Sequence, residues 1–189
     1  MLSNTNNHFF LNHINKLFPF FLLTFYYNNT LTINIKPEFI KITTIFLKNH
    51  KLLQCSILTL IGAVDYPFRK NRFEIVYDFL TIKNNARVRL KTFVNHFFFI
   101  ESICTIFSSS VWWEREIWDL FGIFFQNNFE IKRILTDYGF EGHPLRKDFP
   151  LTGYVESRYD EKSKRVVCEP IELTQEFRFF DFSINWFFI

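Results

Sequence analysis

The apolar positions of this chain change period several times, and each change marks an element. Residues 30–35 alternate, with Leu31, Ile33 and Ile35 against Thr32 and Asn34, the period of a half-buried strand. Lys36 and Pro37 follow, and proline suits a first helical turn, so a helix is expected to about Asn49 with Phe39 or Ile40, Thr43, Phe46 and Leu47 inward. Residues 52–64 are apolar and partly β-branched, and they close on the turn signal Asp65, Tyr66, Pro67, which predicts a second strand. Phe73, Ile75, Tyr77 and Phe79 alternate against Glu74, Val76 and Asp78; after Lys83, Asn84 and Asn85, Val88, Leu90, Thr92 and Val94 alternate against Arg87, Arg89, Lys91 and Phe93. That pair predicts an antiparallel hairpin. Residues 100–107 suggest a further edge strand, and Ser108, Ser109 and Ser110 are candidate N-caps for the next helix.

That helix is expected over 111–121. Trp113, Ile117, Leu120 and Phe124 share one face at 100° per residue, and Arg115, Asp119 and Gly122 the other, so Arg115 and Asp119 are expected to point outward. Upstream, Ile14, Leu17 and Phe21 sit at helical spacing and predict a short helix over 13–27 behind a frayed, Asn-rich leader. These elements predict an α+β fold: a two-layer domain with a mainly antiparallel sheet and flanking helices, plus a long extended C-terminal segment. The expected division is 1–30 leader and short helix, 31–136 α+β domain, and 137–189 docking tail.

Beyond the last helix the period disappears. After a short helical turn expected over 129–136, residues 137–160 hold Gly139, Gly142, Pro144, Pro150 and Gly153, and no repeating apolar spacing. A structureless stretch of that length is uncommon in a compact domain unless it is functional or disordered. Tyr138, Phe140, Phe149, Tyr154 and Tyr159 argue against disorder, because disordered segments are poor in aromatics. Docking along a partner, with aromatic and arginine anchors, satisfies both facts. For Glu114, Arg115 and Glu116 the ordinary expectation is a solvated helix face, where an i,i+4 pair contributes about 0.3–0.5 kcal/mol. For His143 it is a turn histidine bonded to backbone.

Composition narrows the chemistry. The chain has 189 residues, of which 28 are Phe, 20 Ile and 16 Asn but only two Ala and five Gly, a usage that an A/T-rich genome explains better than a need for phenylalanine. Net charge is +3, made of +7 over residues 1–110 and −4 over 111–189, which suggests two surfaces with different partners. The longest nearly uncharged apolar run, 17–27, has eleven residues with Pro19 inside, against the roughly 20 needed to cross a bilayer, so no transmembrane helix is expected. Cys55, Cys104 and Cys168 form no C-x-x-C pair, and no two of the five histidines have metal-ligand spacing. There is no G-x-G-x-x-G, no G-x-x-x-x-G-K-[ST] and no G-x-S-x-G. No catalytic, cofactor-binding or metal-binding residue is therefore expected on this chain. RNA binding through Arg87, Arg89 and Lys91 is the alternative, weakened by the missing glycines of an RNA-recognition sheet motif and by the acidic C-terminal part.

Glu114, Arg115, Glu116, then Trp118 to Ile123, then Lys132 to Phe140, and on through Gly142 to Tyr154, Glu156, Arg158, Tyr159 and Asp160 resemble the signature of the thirty-kilodalton subunit of respiratory NADH:ubiquinone oxidoreductase, respiratory complex I. Arg165 to Val167, Glu169, Pro170, Phe177, Arg178 and Trp186 look like the tail of its mitochondrial branch. At 127–130 this chain has Asn127, Asn128, Phe129 and Glu130 where that family usually has Gly-His-Pro-Asp. The resemblance implies a scaffold subunit on the matrix side of the mitochondrial inner membrane, associated with it through the complex. Flavin mononucleotide and iron-sulfur clusters would lie on other subunits, and the partners in contact would be chiefly the forty-nine-kilodalton subunit and cluster-bearing subunits of the quinone-reducing region, with no nucleic acid bound. Its candidate docking residues are Glu114, Arg115, Glu116, Asp119, Arg133, Asp137, Tyr138, His143, Arg146, Lys147, Asp148, Tyr154, Arg158, Tyr159 and Arg178.

Overall fold

A computed structural model describes residues 21–27, 30–51, 53–83 and 86–180. The chain divides into two compact units with the break after Phe149. The first is built on a five-stranded sheet. Its strands are β1 (Phe21–Tyr27), β2 (Thr30–Ile35), β3 (Ile57–Asp65), β4 (Phe73–Thr81) and β5 (Ala86–Val94), in the order β1-β2-β5-β4-β3. The β4–β5 hairpin pairs antiparallel from Phe73↔Val94 to Thr81↔Ala86, as its alternation predicts. β3 pairs antiparallel with β4 and β1 with β2, while the β2–β5 pair is the parallel one of this sheet, so the α+β expectation holds.

One sheet face is dry. Leu31, Ile33, Ile35, Phe73, Ile75, Tyr77, Phe79, Val88, Leu90 and Val94 are all buried and form one core with the helices. A 3-10 turn at Pro37–Phe39 leads into α1 (Ile40–Asn49), which buries Ile40, Thr43, Thr44 and Leu47. The second helix, α2 (Ser110–Phe121), lies against β3 and buries Ile117 and Phe121, with Trp113 and Leu120 partly buried beside them. The opposite sheet face carries Arg89 on Asp78 at 2.7 Å and Lys91 on Glu74 at 2.7 Å, so two of the three cations of the RNA-binding alternative are already paired.

Four expectations change. The helix predicted over 13–27 is instead strand β1 from Phe21 onward, and residues 13–20 lie outside the described residues. Pairing with β2, which no local spacing announces, overrides the helical period in a run rich in aromatics. The edge strand over 100–107 shrinks to β6 (Ile100–Glu101), paired in parallel with β7 (Phe125–Gln126), because Ser102 and the Ile103 N–H turn to Glu114. No helical turn forms over 129–136, where backbone N–H groups turn to Asp119 instead. Phe124, placed on the core face of the helix, is 43% exposed because α2 stops at Gly122, whose φ of +74° breaks the helical phase.

The second unit contains the antiparallel hairpin β8 (Val155–Asp160) and β9 (Arg165–Pro170), so the expected structureless stretch ends at residue 154. Arg158 reaches diagonally across it to Glu169 in a two-pronged pair at 2.7 and 2.8 Å, and Asp160 closes its turn by accepting the Ser163 hydroxyl at 2.8 Å.

Candidate functional site

The stretch from 127 to 149 runs without regular secondary structure, and three carboxylates of the first unit hold it. Asp119 on α2 is the most heavily bonded. Its carboxylate accepts the N–H groups of Ile134 (3.1 Å), Leu135 (2.8 Å) and Thr136 (3.0 Å), the Thr136 hydroxyl (2.7 Å) and the Arg133 guanidinium (2.9 Å). Asp119 is 0% exposed, so it faces the strap and not solvent, contrary to expectation. The geometry explains why: three consecutive N–H groups with no helix to join would be unsatisfied without an acceptor. Burial pushes the Asp119 carboxyl up, but the Thr136 hydroxyl and the N–H groups of Leu135, Thr136 and Ile134 outweigh it and hold the group well below the usual carboxylate range. The Arg133 side chain also lies over the rings of Trp118 (5.5 Å) and Phe140 (5.8 Å).

Glu114, one helical turn earlier, is likewise buried and corrects the solvated-face expectation. It accepts the Ser102 hydroxyl (2.5 Å), the Ile103 N–H (3.0 Å) and the Asn128 side-chain amide (2.7 Å). Burial raises its pKa, which those bonds oppose. Between the two acids, Arg115 is half-buried, with its Nε donating to the Lys132 carbonyl at 3.3 Å, and Glu116 is half-buried.

Asp65, at the end of β3, is the third anchor. It receives Arg72 through two bonds (2.6 and 2.7 Å) and the Lys147 N–H (2.8 Å), while the same guanidinium reaches Asp148 at 3.0 Å. The Arg72 hydrogen bonds lower the pKa of Asp65 and Asp148. The end of α2 fits the strap closely. His143 Nδ1 lies 2.9 Å from the Asp119 carbonyl, so Nδ1 carries the proton, and Arg146 Nε donates to the Phe121 carbonyl at 2.6 Å. Both side chains press on Gly122: a Cβ there would lie 2.3 Å from Arg146 and 2.5 Å from His143.

What remains outside is an ordered surface. Tyr138 is 103% exposed, Leu135 60% and Leu145 50%, and Asp137, Glu141, Lys147 and Asp148 are exposed beside them in sequence. In the second unit Tyr154, Arg158, Tyr159 and Arg178 are exposed. The structure thus gathers Asp119, Arg133, His143 and Arg146 into one internal brace and leaves Asp137, Tyr138, Lys147 and Asp148 on the surface. Sequence reasoning missed Asp65, Arg72, Ser102 and Thr136 as members of the brace. Asp65 and Arg72 flank a turn, but their pairing with a segment about eighty residues away leaves no periodic trace. Among the described residues no group of three or more His, Cys, Asp or Glu is placed to hold a metal ion, and no helix is long and apolar enough to cross a membrane.

This chain belongs to the family described as respiratory-chain NADH dehydrogenase, 30 Kd subunit, whose profile matches residues 33–155. It is 51% identical over 160 residues to NADH-ubiquinone oxidoreductase subunit 9 of Prototheca wickerhamii, covering 85% of this chain and 83% of that one. It is 57% identical over 141 residues to NADH dehydrogenase [ubiquinone] iron-sulfur protein 3 of Solanum tuberosum, covering 75% and 74%. A chain in the structure of the membrane-bound sulfane sulfur reductase, an archaeal respiratory membrane complex, shares the fold with a TM-score of 0.66 at 21% identity, over 86% of this chain and 99% of that one. The words iron-sulfur protein belong to that relative's name; in this chain Cys55 and Cys104 are buried and bonded to Thr81 and the Asn127 carbonyl, and the described residues gather no cysteine and histidine set of the kind a cluster needs.

Proposed function

We propose that this chain is a structural subunit of the mitochondrial NADH:ubiquinone oxidoreductase, docked on the matrix side of the inner membrane against the forty-nine-kilodalton subunit and its cluster-bearing neighbours. Its role is assembly: it supports electron transfer from NADH to ubiquinone while flavin and clusters sit on other chains. The single observation that carries this reading is the inner brace of the strap. Asp119, Glu114 and Asp65 hold residues 127–149 without helix or sheet, and that ordered strap presents Leu135, Tyr138 and Leu145 to solvent. Such a rigid aromatic and aliphatic surface binds a partner without the entropy cost of ordering a loop on contact. The paired cations on the open sheet face work against the RNA-binding alternative, because Asp78 and Glu74 offset charge that a phosphate backbone would need. Native separation of mitochondrial membranes followed by mass spectrometry tests the reading. The chain should migrate with the intact oxidoreductase; migration with ribosomal particles would replace this reading by the alternative.

A further inference from the structure

We infer that the loop 134–141 is a preformed docking knob, anchored by Tyr138, for an apolar pocket rimmed by lysine or arginine on another subunit; this rests on the subunit reading above. Three observations combine. The loop is rigid at its base, because the N–H groups of Ile134, Leu135 and Thr136 and the Thr136 hydroxyl all end on Asp119. Its tip is closed by the Asp137 carboxylate accepting the Tyr138 N–H at 2.7 Å and the Asp137 carbonyl accepting the Phe140 N–H at 3.2 Å, with Gly139 at φ +70° making the turn.

The tip then carries a side chain that the fold does not use. Tyr138 is 103% exposed and Leu135, three residues earlier, is 60% exposed. A solvated turn would accept a polar residue at either position. Tyrosine on a fixed backbone is the side chain that buries most area on docking for the loss of few rotamers, and its hydroxyl tolerates a half-polar pocket.

Charge narrows the occupant. Asp137 and Glu141 flank Tyr138 and are exposed, whereas the neighbouring cations are engaged: Arg133 by Asp119 and Lys132 by Glu130. The knob is therefore locally acidic, and a pocket lined only with apolar groups, or an anionic lipid surface, would leave those acids unpaired or repelled. A protein pocket with a basic rim satisfies both the ring and the acids.

The test places variants in the full chain and expresses each together with the other subunits. Tyr138→Ala should lower the share of the chain found in the assembled oxidoreductase by about tenfold or more, the loss expected of an interfacial tyrosine anchor. Tyr138→Phe should stay within about twofold of wild type, because the ring is retained. Joint Asp137→Lys and Glu141→Lys should lower incorporation with the ring intact. A photo-crosslinking benzoylphenylalanine at position 138 should join, on irradiation, to a peptide of another subunit containing Lys or Arg. Tyr138→Ala entering the complex like wild type, or a crosslink confined to lipid, nucleic acid or this chain itself, would overturn the knob. If the wild-type chain is absent from the oxidoreductase, the subunit reading fails with it. If wild type and Tyr138→Ala are both present, the knob alone fails.

Discussion

Asp119 shows how one side chain can organise a segment that has no secondary structure. Its five donors come from residues 133–136, so removing the carboxylate frees the segment and leaves the Arg133 guanidinium without its partner. Asp119→Asn should destabilise the first unit by about 3 kcal/mol, the range for breaking a buried charged contact, and should speed amide exchange at Ile134, Leu135 and Thr136. Urea unfolding with exchange mass spectrometry measures both; protection unchanged at those three amides would contradict the role. Acid should act in the same direction. An unfolded Asp titrates near pH 4 and the folded Asp119 lies well below that, so its contribution is complete above about pH 5 and is lost as pH falls toward the folded value. His143 adds to this loss: burial depresses its pKa, so the neutral ring is favoured in the fold and stability falls as pH drops below about 6.5. Glu114 runs the other way, because burial raises its pKa and protonation relieves the buried charge. The urea midpoint should fall between pH 7 and pH 3, and the part of that fall below pH 4 should be smaller in Asp119→Asn.

At the scale of elements, the end of α2 and the strap are fitted to each other through Gly122. Gly139 has a similar left-handed φ of +70° with nothing within 4 Å, whereas a Cβ at Gly122 would meet Arg146 and His143 below 3 Å. Gly139→Ala should therefore cost about 1 kcal/mol from backbone strain alone, and Gly122→Ala distinctly more, because Arg146 would have to leave the Phe121 carbonyl. Thermal unfolding of the two variants side by side checks the order; equal losses would show that the close fit carries no energy. The β4–β5 hairpin and α1 were legible because period two and period 3.6 report burial on one face, and Phe73, Ile75, Tyr77 and Phe79 keep it without interruption. β1 was not, since its partner β2 rather than its own spacing decides its form. The buried acids were misread for a related reason. A helical wheel places Asp119 opposite Ile117 and Trp113 but carries no information about a strap folding over that second face. The presence of a strap was legible in the loss of period after residue 136, together with its prolines, glycines and aromatics; its ties to Asp65 and Arg72 were not.

Over the whole chain, the charge division of +7 in residues 1–110 and −4 in 111–189 now has a structural counterpart. Of the seven acids in 111–149, Asp119 and Glu114 turn inward, onto Arg133, Ser102, Asn128 and backbone N–H groups, and Asp137 and Glu141 keep an acidic tip outside. The family match over residues 33–155 spans strands β3 to β5, both helices and the complete strap. A docking role then separates assembly from turnover: Tyr138→Ala and Asp119→Asn should reduce the amount of oxidoreductase formed while leaving NADH:ubiquinone activity per assembled complex nearly unchanged. The measurement closest to the central claim is that ratio, obtained from in-gel complex abundance and NADH:ubiquinone activity on the same membranes carrying Tyr138→Ala. Reduced abundance with activity per complex near that of wild type is the expected result. Normal abundance with activity per complex lowered would contradict it, placing the strap in the chemistry and not in assembly.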